Sequence, residues 1–248
     1  MSLARLRAQT AFEARLLLRN GENLLATMII PVGLLVFFSL VRVLPSGGQA
    51  PAAFLAPGVL ALSVVAAGVV SLGISTGFER SYLVLKRLGA TPLRRAELVA
   101  AKVLAVLGVQ ALQAVAITAA GLMLGWRPDV GPASLALAVT AWLLGTAACC
   151  GLGLALAGRL PALATLAITN GLFIVLLLCS GIIFPLDVLP APLRVGAQLL
   201  PAAPLAELLR AALGPEPLAA GAVLMPLAVL TTWALAAPWV AARVFRWE

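Results

Sequence analysis

The sequence predicts an all-α integral membrane protein: six transmembrane helices, an N-terminal amphipathic interface helix, a basic cytoplasmic helical segment between spans two and three, and a re-entrant outer segment between spans five and six. Three observations predict it. First, 62% of the 248 residues are apolar and only 10% are charged, against about 45–50% and about 25% in a soluble domain, and the mean hydropathy is +1.10; too little polar surface remains to face water. Second, the apolar residues collect in runs of the length a helix needs to cross a bilayer, and such unbroken runs do not fit barrel strands, which alternate. Third, the basic residues fall on one side of the resulting topology.

Residues 1–23 alternate Leu3, Leu6, Phe12, Leu16 and Leu17 with Arg5, Arg7, Glu13, Arg15 and Arg19, the pattern of a helix lying at a membrane surface. The charged stretch is too long for a signal peptide, and Pro51 follows the one tempting cleavage site, Gln49-Ala50, so the next run is read as an uncleaved span. The spans are placed at 24–44, 54–75, 99–124, 133–157, 162–184 and 218–242, within a single transmembrane domain covering 1–248. Lys102, at the head of span three, is expected to snorkel. Trp126, Trp239 and Trp247 suit interfacial belts. Gly145, Gly151, Gly153 and Gly158 make span four a surface for close helix packing.

Six spans put both termini on one side. That side carries 13 basic residues and the other 4, with acidic residues divided 5 and 4, so the whole net charge of +8 sits on one face. The positive-inside rule assigns that face to the cytoplasm, in a plasma membrane that the Ala-, Arg- and Leu-heavy composition suggests is bacterial. The pI near 11.0 therefore reads as orientation, with no nucleic-acid partner expected.

The chain contains no His, and Cys149, Cys150 and Cys179 lie inside apolar runs without zinc-ligand spacing, so neither a metal centre nor a disulfide framework is expected. The two lysines, Lys86 and Lys102, follow no glycine, which excludes a P-loop. With no paired carboxylates within the spans and no G-x-S-x-G, the chain is not expected to be an enzyme or to hold a cofactor. Energy for any uphill movement must come from another chain. Gln110 and Gln113 share a face of span three, and Thr165, Thr169 and Asn170 lie in span five; these are candidates either to line a substrate path, Asn170 foremost, or to serve as interhelical hydrogen-bond glue worth about 1 kcal/mol.

Two connections stand out. In 76–98, Tyr82, Leu85 and Leu88-Gly89 recur at helical spacing among Glu79, Arg80, Lys86 and Arg87. Gly89 reads as a helix stop, Thr91-Pro92 as N-cap and first position of the next helix, and Arg94 and Arg95 as its opening. A short charged helix-turn-helix suits docking against a soluble partner, and equally an ordinary positive-inside loop that holds anionic lipid. The outer segment 185–217 is apolar yet broken by Pro185, Pro190, Pro192, Pro201 and Pro204, so it is expected to dip back against protein, with Asp187–Arg194 and Glu207–Arg210 as structural pairs.

The stretch Phe78-Glu79-Arg80 through Leu85-Lys86-Arg87-Leu88-Gly89-Ala90-Thr91-Pro92-Leu93 resembles the F-E-R-x-x-G-T-L-K-R-L-x-x-T-P-L signature of ABC-2 type permeases, the membrane subunits of ATP-binding-cassette exporters. The outer Ser180-Gly181-Ile182-Ile183-Phe184-Pro185-Leu186, followed by Leu189-Pro190, Leu200-Pro201 and Leu209-Arg210, is similar to that family's S-G-x-x-F-P-L…L-P…L-P…L-R pattern. The chain departs from it where Tyr82-Leu83-Val84 replaces the common Gly-Thr and where Pro204-Leu205 replaces polar or aromatic residues. The resemblance implies an exporter permease whose coupling helix docks a separate P-loop ATPase through Phe78, Glu79, Arg80, Lys86 and Arg87, then Arg94 and Arg95. It implies two ATPase copies carrying ATP and magnesium, a second permease chain, identical or paralogous, and a path through spans one, two and five. Gly181, Phe184, Pro185, Pro190 and Pro201 would form the re-entrant motif. The apolar path suggests a lipophilic drug-like or lipid cargo. The alternatives are a glycan or polyol-linked glycan exporter, a carrier or channel not driven by ATP, and a membrane scaffold.

Overall fold

The structure is a computed structural model that describes residues 3–41, 51–128, 130–182, 186, 189–214 and 220–245. The predicted motif residues Phe184 and Pro185, together with Asp187 and Trp247, lie outside the described residues. Among the described residues every regular element is helical. Five helices are long and apolar enough to cross a membrane, and Thr27–Val41 forms a shorter apolar stretch.

Helix α1 (Leu3–Arg19) is amphipathic and packs along α6 (Arg95–Met123). Helix α2 (Gly21–Val41) follows and packs on α3 (Pro51–Val65) and α6. Helix α3 passes through a π-helical turn, Ala66–Ser71, directly into α4 (Leu72–Ser81), so span two is one continuous 31-residue helix, Pro51–Ser81. It therefore runs past the boundary expected at residue 75 and carries Phe78, Glu79 and Arg80 at its end.

The predicted helix across Phe78 to Gly89 is interrupted. The backbone N–H of Tyr82 still bonds the Phe78 carbonyl, but Leu83 takes a left-handed conformation, φ 59°, and a separate short helix, α5 (Val84–Gly89), begins there. The expected Thr91-Pro92 start of the next helix is also corrected. The Thr91 N–H and hydroxyl both donate to the Leu88 carbonyl, closing α5, while the Arg94 N–H donates to the Glu97 carboxylate at 3.0 Å and caps α6.

Helix α7 (Pro132–Ala157) is the central post. Helix α11 (Ala220–Val244) runs beside it, and the π turn and α10 (Ala202–Leu213) lie against its other faces. The approach depends on missing side chains: a Cβ at Gly151 would lie 2.5 Å from the Ala237 carbonyl carbon, and one at Gly153 would collide with the Gly68 carbonyl of the π turn. Contact area between small residues is what associates helices where lipid offers no hydrophobic contrast. Helix α8 (Ala162–Cys179) stops short of the predicted residue 184, because Gly181 turns the chain with φ 73° and Leu186 occupies the space its Cβ would need. Helices α9 (Ala191–Gln198) and α10 (Ala202–Leu213) then fold back, and α10 is buried against α3 and α7.

Trp126 does not face an interfacial belt. The φ of 90° at Gly125 turns the chain so that the indole packs against Gly121, buried, and donates to the Leu213 carbonyl at 3.3 Å.

Candidate functional site

The segments that carry the basic residues of the predicted cytoplasmic face, around Arg5, Arg80 to Lys102, Arg159 and Arg243, meet at one end of the bundle. Arg5 of α1 donates to the Pro92 carbonyl at 2.6 Å. Leu85 of α5, Leu98 of α6 and Phe245 beyond α11 form one small buried cluster. Arg80 donates to the carbonyls of Ala157 and Leu160, at 3.1 and 3.5 Å, where α7 turns into α8.

The expected snorkelling of Lys102 is overturned. Its ammonium is buried and bonds Glu13 at 2.9 Å and the two Glu79 carboxylate oxygens at 3.1 and 2.8 Å. Glu13 also accepts from Gln9 at 2.8 Å. An ammonium removed from water must satisfy its three hydrogens on charged acceptors, and two carboxylates from two other helices supply them. Glu79 and Arg80, adjacent in sequence, thus tie α4 to α6, through Lys102 to α1, and to the end of α7 and the turn that leads into α8.

The sequence-predicted coupling residues therefore divide. Phe78, Glu79 and Arg80 are half-buried, with Glu79 and Arg80 engaged inside the fold. Lys86, Arg87, Arg94 and Arg95 are exposed, beside an exposed Tyr82 and Leu83. Counting the signature from Phe78, Leu83 stands where its glycine falls, which is the position with positive φ.

Above this end lies a cavity of about 590 Å³ between α2, span two and α8. Ile30, Pro31 and Leu34 line it from α2, Ala66, Val70 and Ile74 from span two, and Asn170, Phe173 and Leu177 from α8. Asn170 is the one predicted path residue on its wall; its amide donates to the Leu166 carbonyl at 2.9 Å. The other four do not line it. Gln110 accepts from the Thr146 hydroxyl at 2.6 Å and donates toward the Val64 carbonyl, Gln113 donates to the Thr27 carbonyl at 3.1 Å, and Thr169 donates to the Thr165 carbonyl and packs against Gly73. These serve as buried polar contacts within and between helices.

At the opposite end, Arg210 of α10 donates to the Ile182 carbonyl at 2.9 Å and lies over the Phe54 ring, 4.4 Å from its centroid. Burial pulls its guanidinium down to about 10, and the neighbouring Glu207 opposes that shift. Pro190 and Pro201 precede α9 and α10 as their caps, and Gly181 makes the turn that admits them.

Sequence reasoning missed Glu13, Lys102 and Arg210 as tethers. One signal was present: Glu13 falls on the buried stripe of α1 with Leu6, Gln9, Thr10 and Leu17, and a carboxylate there requires a cation from elsewhere. The sequence model of the ABC-2 type transporter family matches residues 5–213. No curated protein matches the chain.

Proposed function

The chain belongs to the ABC-2 type transporter family and is a multi-pass membrane protein, and from that premise we propose that it is the permease subunit of an ATP-driven exporter of lipophilic compounds. Members of this family work with an ATP-binding partner. The basic end is the docking surface: exposed Tyr82 and Leu83 offer an apolar contact, flanked by exposed Lys86, Arg87, Arg94 and Arg95, and an acidic-rimmed cleft on an ATPase complements that arrangement. The basic face is cytoplasmic by the charge rule, in a bacterial plasma membrane, and a second permease chain completes the pathway.

The observation that carries the reading is the 590 Å³ cavity. Its walls are mostly apolar, with Asn20, Thr27, Ser71, Ser75 and Asn170 among them, which favours a lipophilic drug-like or lipid cargo over a glycan. Span two forms one wall and ends in Glu79 and Arg80, so displacement of the docking end tilts that wall. ATP closes the partner ATPases, and the path switches because ATP binds the two arrangements unequally.

The test is reconstitution of the chain with its ATPase in proteoliposomes and measurement of ATP-dependent movement of a lipophilic dye. Ile30→Trp, which narrows the cavity, is expected to cut transport at least tenfold while the ATPase stays bound. Lys86→Glu with Arg87→Glu is expected to release the ATPase. Unchanged transport in the first variant removes the cavity from the path, and unchanged co-purification in the second removes the docking surface.

A further inference from the structure

A second cavity, of about 500 Å³, lies between α1 and α4 at the basic end. Its apolar walls include Phe12, Leu16 and Phe78, and its polar floor is the Glu13–Lys102–Glu79 cluster. Two carboxylates face one ammonium there, so the cluster carries one surplus negative charge. Of the three side chains, Glu13 and Lys102 are 6% and 1% exposed, whereas Glu79 is 21% exposed; the surplus is open to the cavity at Glu79. Of the described cations, Arg80 is turned to the Ala157 and Leu160 carbonyls and Arg5 to the Pro92 carbonyl. Phe78 and Tyr82, on either side of Glu79 in sequence, stack with ring centroids 6.2 Å apart and both border the cavity. Asn20, Ser75 and Phe78 line this cavity and the larger one alike, so the two adjoin.

We propose that this cavity is an entry site for amphiphilic organic cations, which seat an apolar body between Phe12, Leu16 and Phe78 and a positive head beside Glu79. Apolar walls supply affinity for any lipophile. The surplus charge, at low local dielectric, selects its sign, and the faces of Phe78 and Tyr82 add attraction for a cation. An anion of the same shape meets the carboxylates and is rejected. The head group belongs either to a drug-like amphiphile or to an ethanolamine lipid, which share the ammonium chemistry. The inference deepens the exporter reading and rests on it for the onward route.

The test uses the purified full chain in phosphatidylcholine nanodiscs, with empty nanodiscs subtracted, and equilibrium dialysis of two isosteric probes, tetraphenylphosphonium and tetraphenylborate. The expected result is saturable binding of the cation and none of the anion. Glu79→Gln is expected to weaken cation binding about tenfold, the equivalent of about 1.4 kcal/mol. Because that change also removes a partner of buried Lys102, Val84→Lys is the second variant. It places a cation on the cavity wall, leaves the three-residue cluster intact, and is expected to weaken binding by a similar factor. Competition by phosphatidylethanolamine assigns the site to lipid, and its absence assigns it to drug-like cations. Equal binding of both probes, no binding of either, or unchanged affinity in Val84→Lys overturns the inference. Dye transport that persists without cation binding sinks this inference alone. Cation binding without ATP-driven transport sinks the exporter reading and leaves the site standing.

Discussion

Leu83 holds the one positive φ among described non-glycine residues, 59°, where its Cβ crowds the following carbonyl at a cost of about 1 kcal/mol. The turn is needed because span two ends in Glu79 and Arg80 while Leu85 must reach the buried cluster with Leu98 and Phe245. The family signature places glycine here, so Leu83→Gly is expected to raise stability by about 0.5–1 kcal/mol, read as a higher unfolding midpoint of the solubilised chain; a lower midpoint would mean that the leucine side chain secures the turn. Lys102 is the opposite case, a residue whose loss strands its neighbours. Lys102→Met leaves Glu13 and Glu79 facing each other without a cation and is expected to cost about 3–5 kcal/mol, whereas the triple change Glu13→Leu, Glu79→Met, Lys102→Met recovers most of it. Size-exclusion profiles and unfolding midpoints of the two variants check this; equal damage in both would show that packing, not charge balance, holds the site. The sequence could not reveal this cluster, since the partners of Lys102 stand 89 and 23 positions away.

Helix boundaries and helix defects were the least legible elements. The six apolar runs announced the spans because length and composition alone decide who can cross a bilayer. Ala66–Ser71, by contrast, reads Ala-Ala-Gly-Val-Val-Ser, ordinary apolar helix, yet forms a π turn. The reason is tertiary: Gly68 sits directly on Cys149 and Cys150 and its carbonyl on Gly153, and the wider turn lets span two press α7 while Ala66 and Val70 still face the cavity. Such turns concentrate where helices do functional work. The small residues of span four were legible as a packing surface, and the structure shows against what. Gly153→Val is expected to force α7 from the π turn and cost about 1–3 kcal/mol, seen as a lower unfolding midpoint and loss of monodisperse protein; Gly108→Ala, in open space on α6, should leave the midpoint unchanged or raise it, by up to about 1 kcal/mol. Equal effects would deny the seam its special role.

Span two is gripped at both ends. At the basic end Glu79 joins it to α6 and, through Lys102, to α1, and Arg80 joins it to the end of α7. At the opposite end Arg210 joins α10 to Phe54 and the Ile182 carbonyl, and Trp126 anchors the end of α10 through the Leu213 carbonyl. Charge partition in the sequence already implied that the basic segments share a face, and the structure brings them into direct contact. The grip by α10 was hidden, because Arg210 looked like half of a surface pair with Glu207. From these ties α10 and span two are expected to travel as one body, while α2 and α8 border span two across the cavity. In a background with Cys149, Cys150 and Cys179 replaced by alanine, a short bismaleimide joining Phe54→Cys to Arg210→Cys is therefore expected to leave ATP-driven dye transport at least half intact. The same reagent joining Ile30→Cys to Phe173→Cys spans the cavity and is expected to abolish transport with ATPase association unchanged. Arrest by the first bridge would mean that α10 separates from span two during the cycle, and transport through the second would mean that the cavity walls do not move relative to each other.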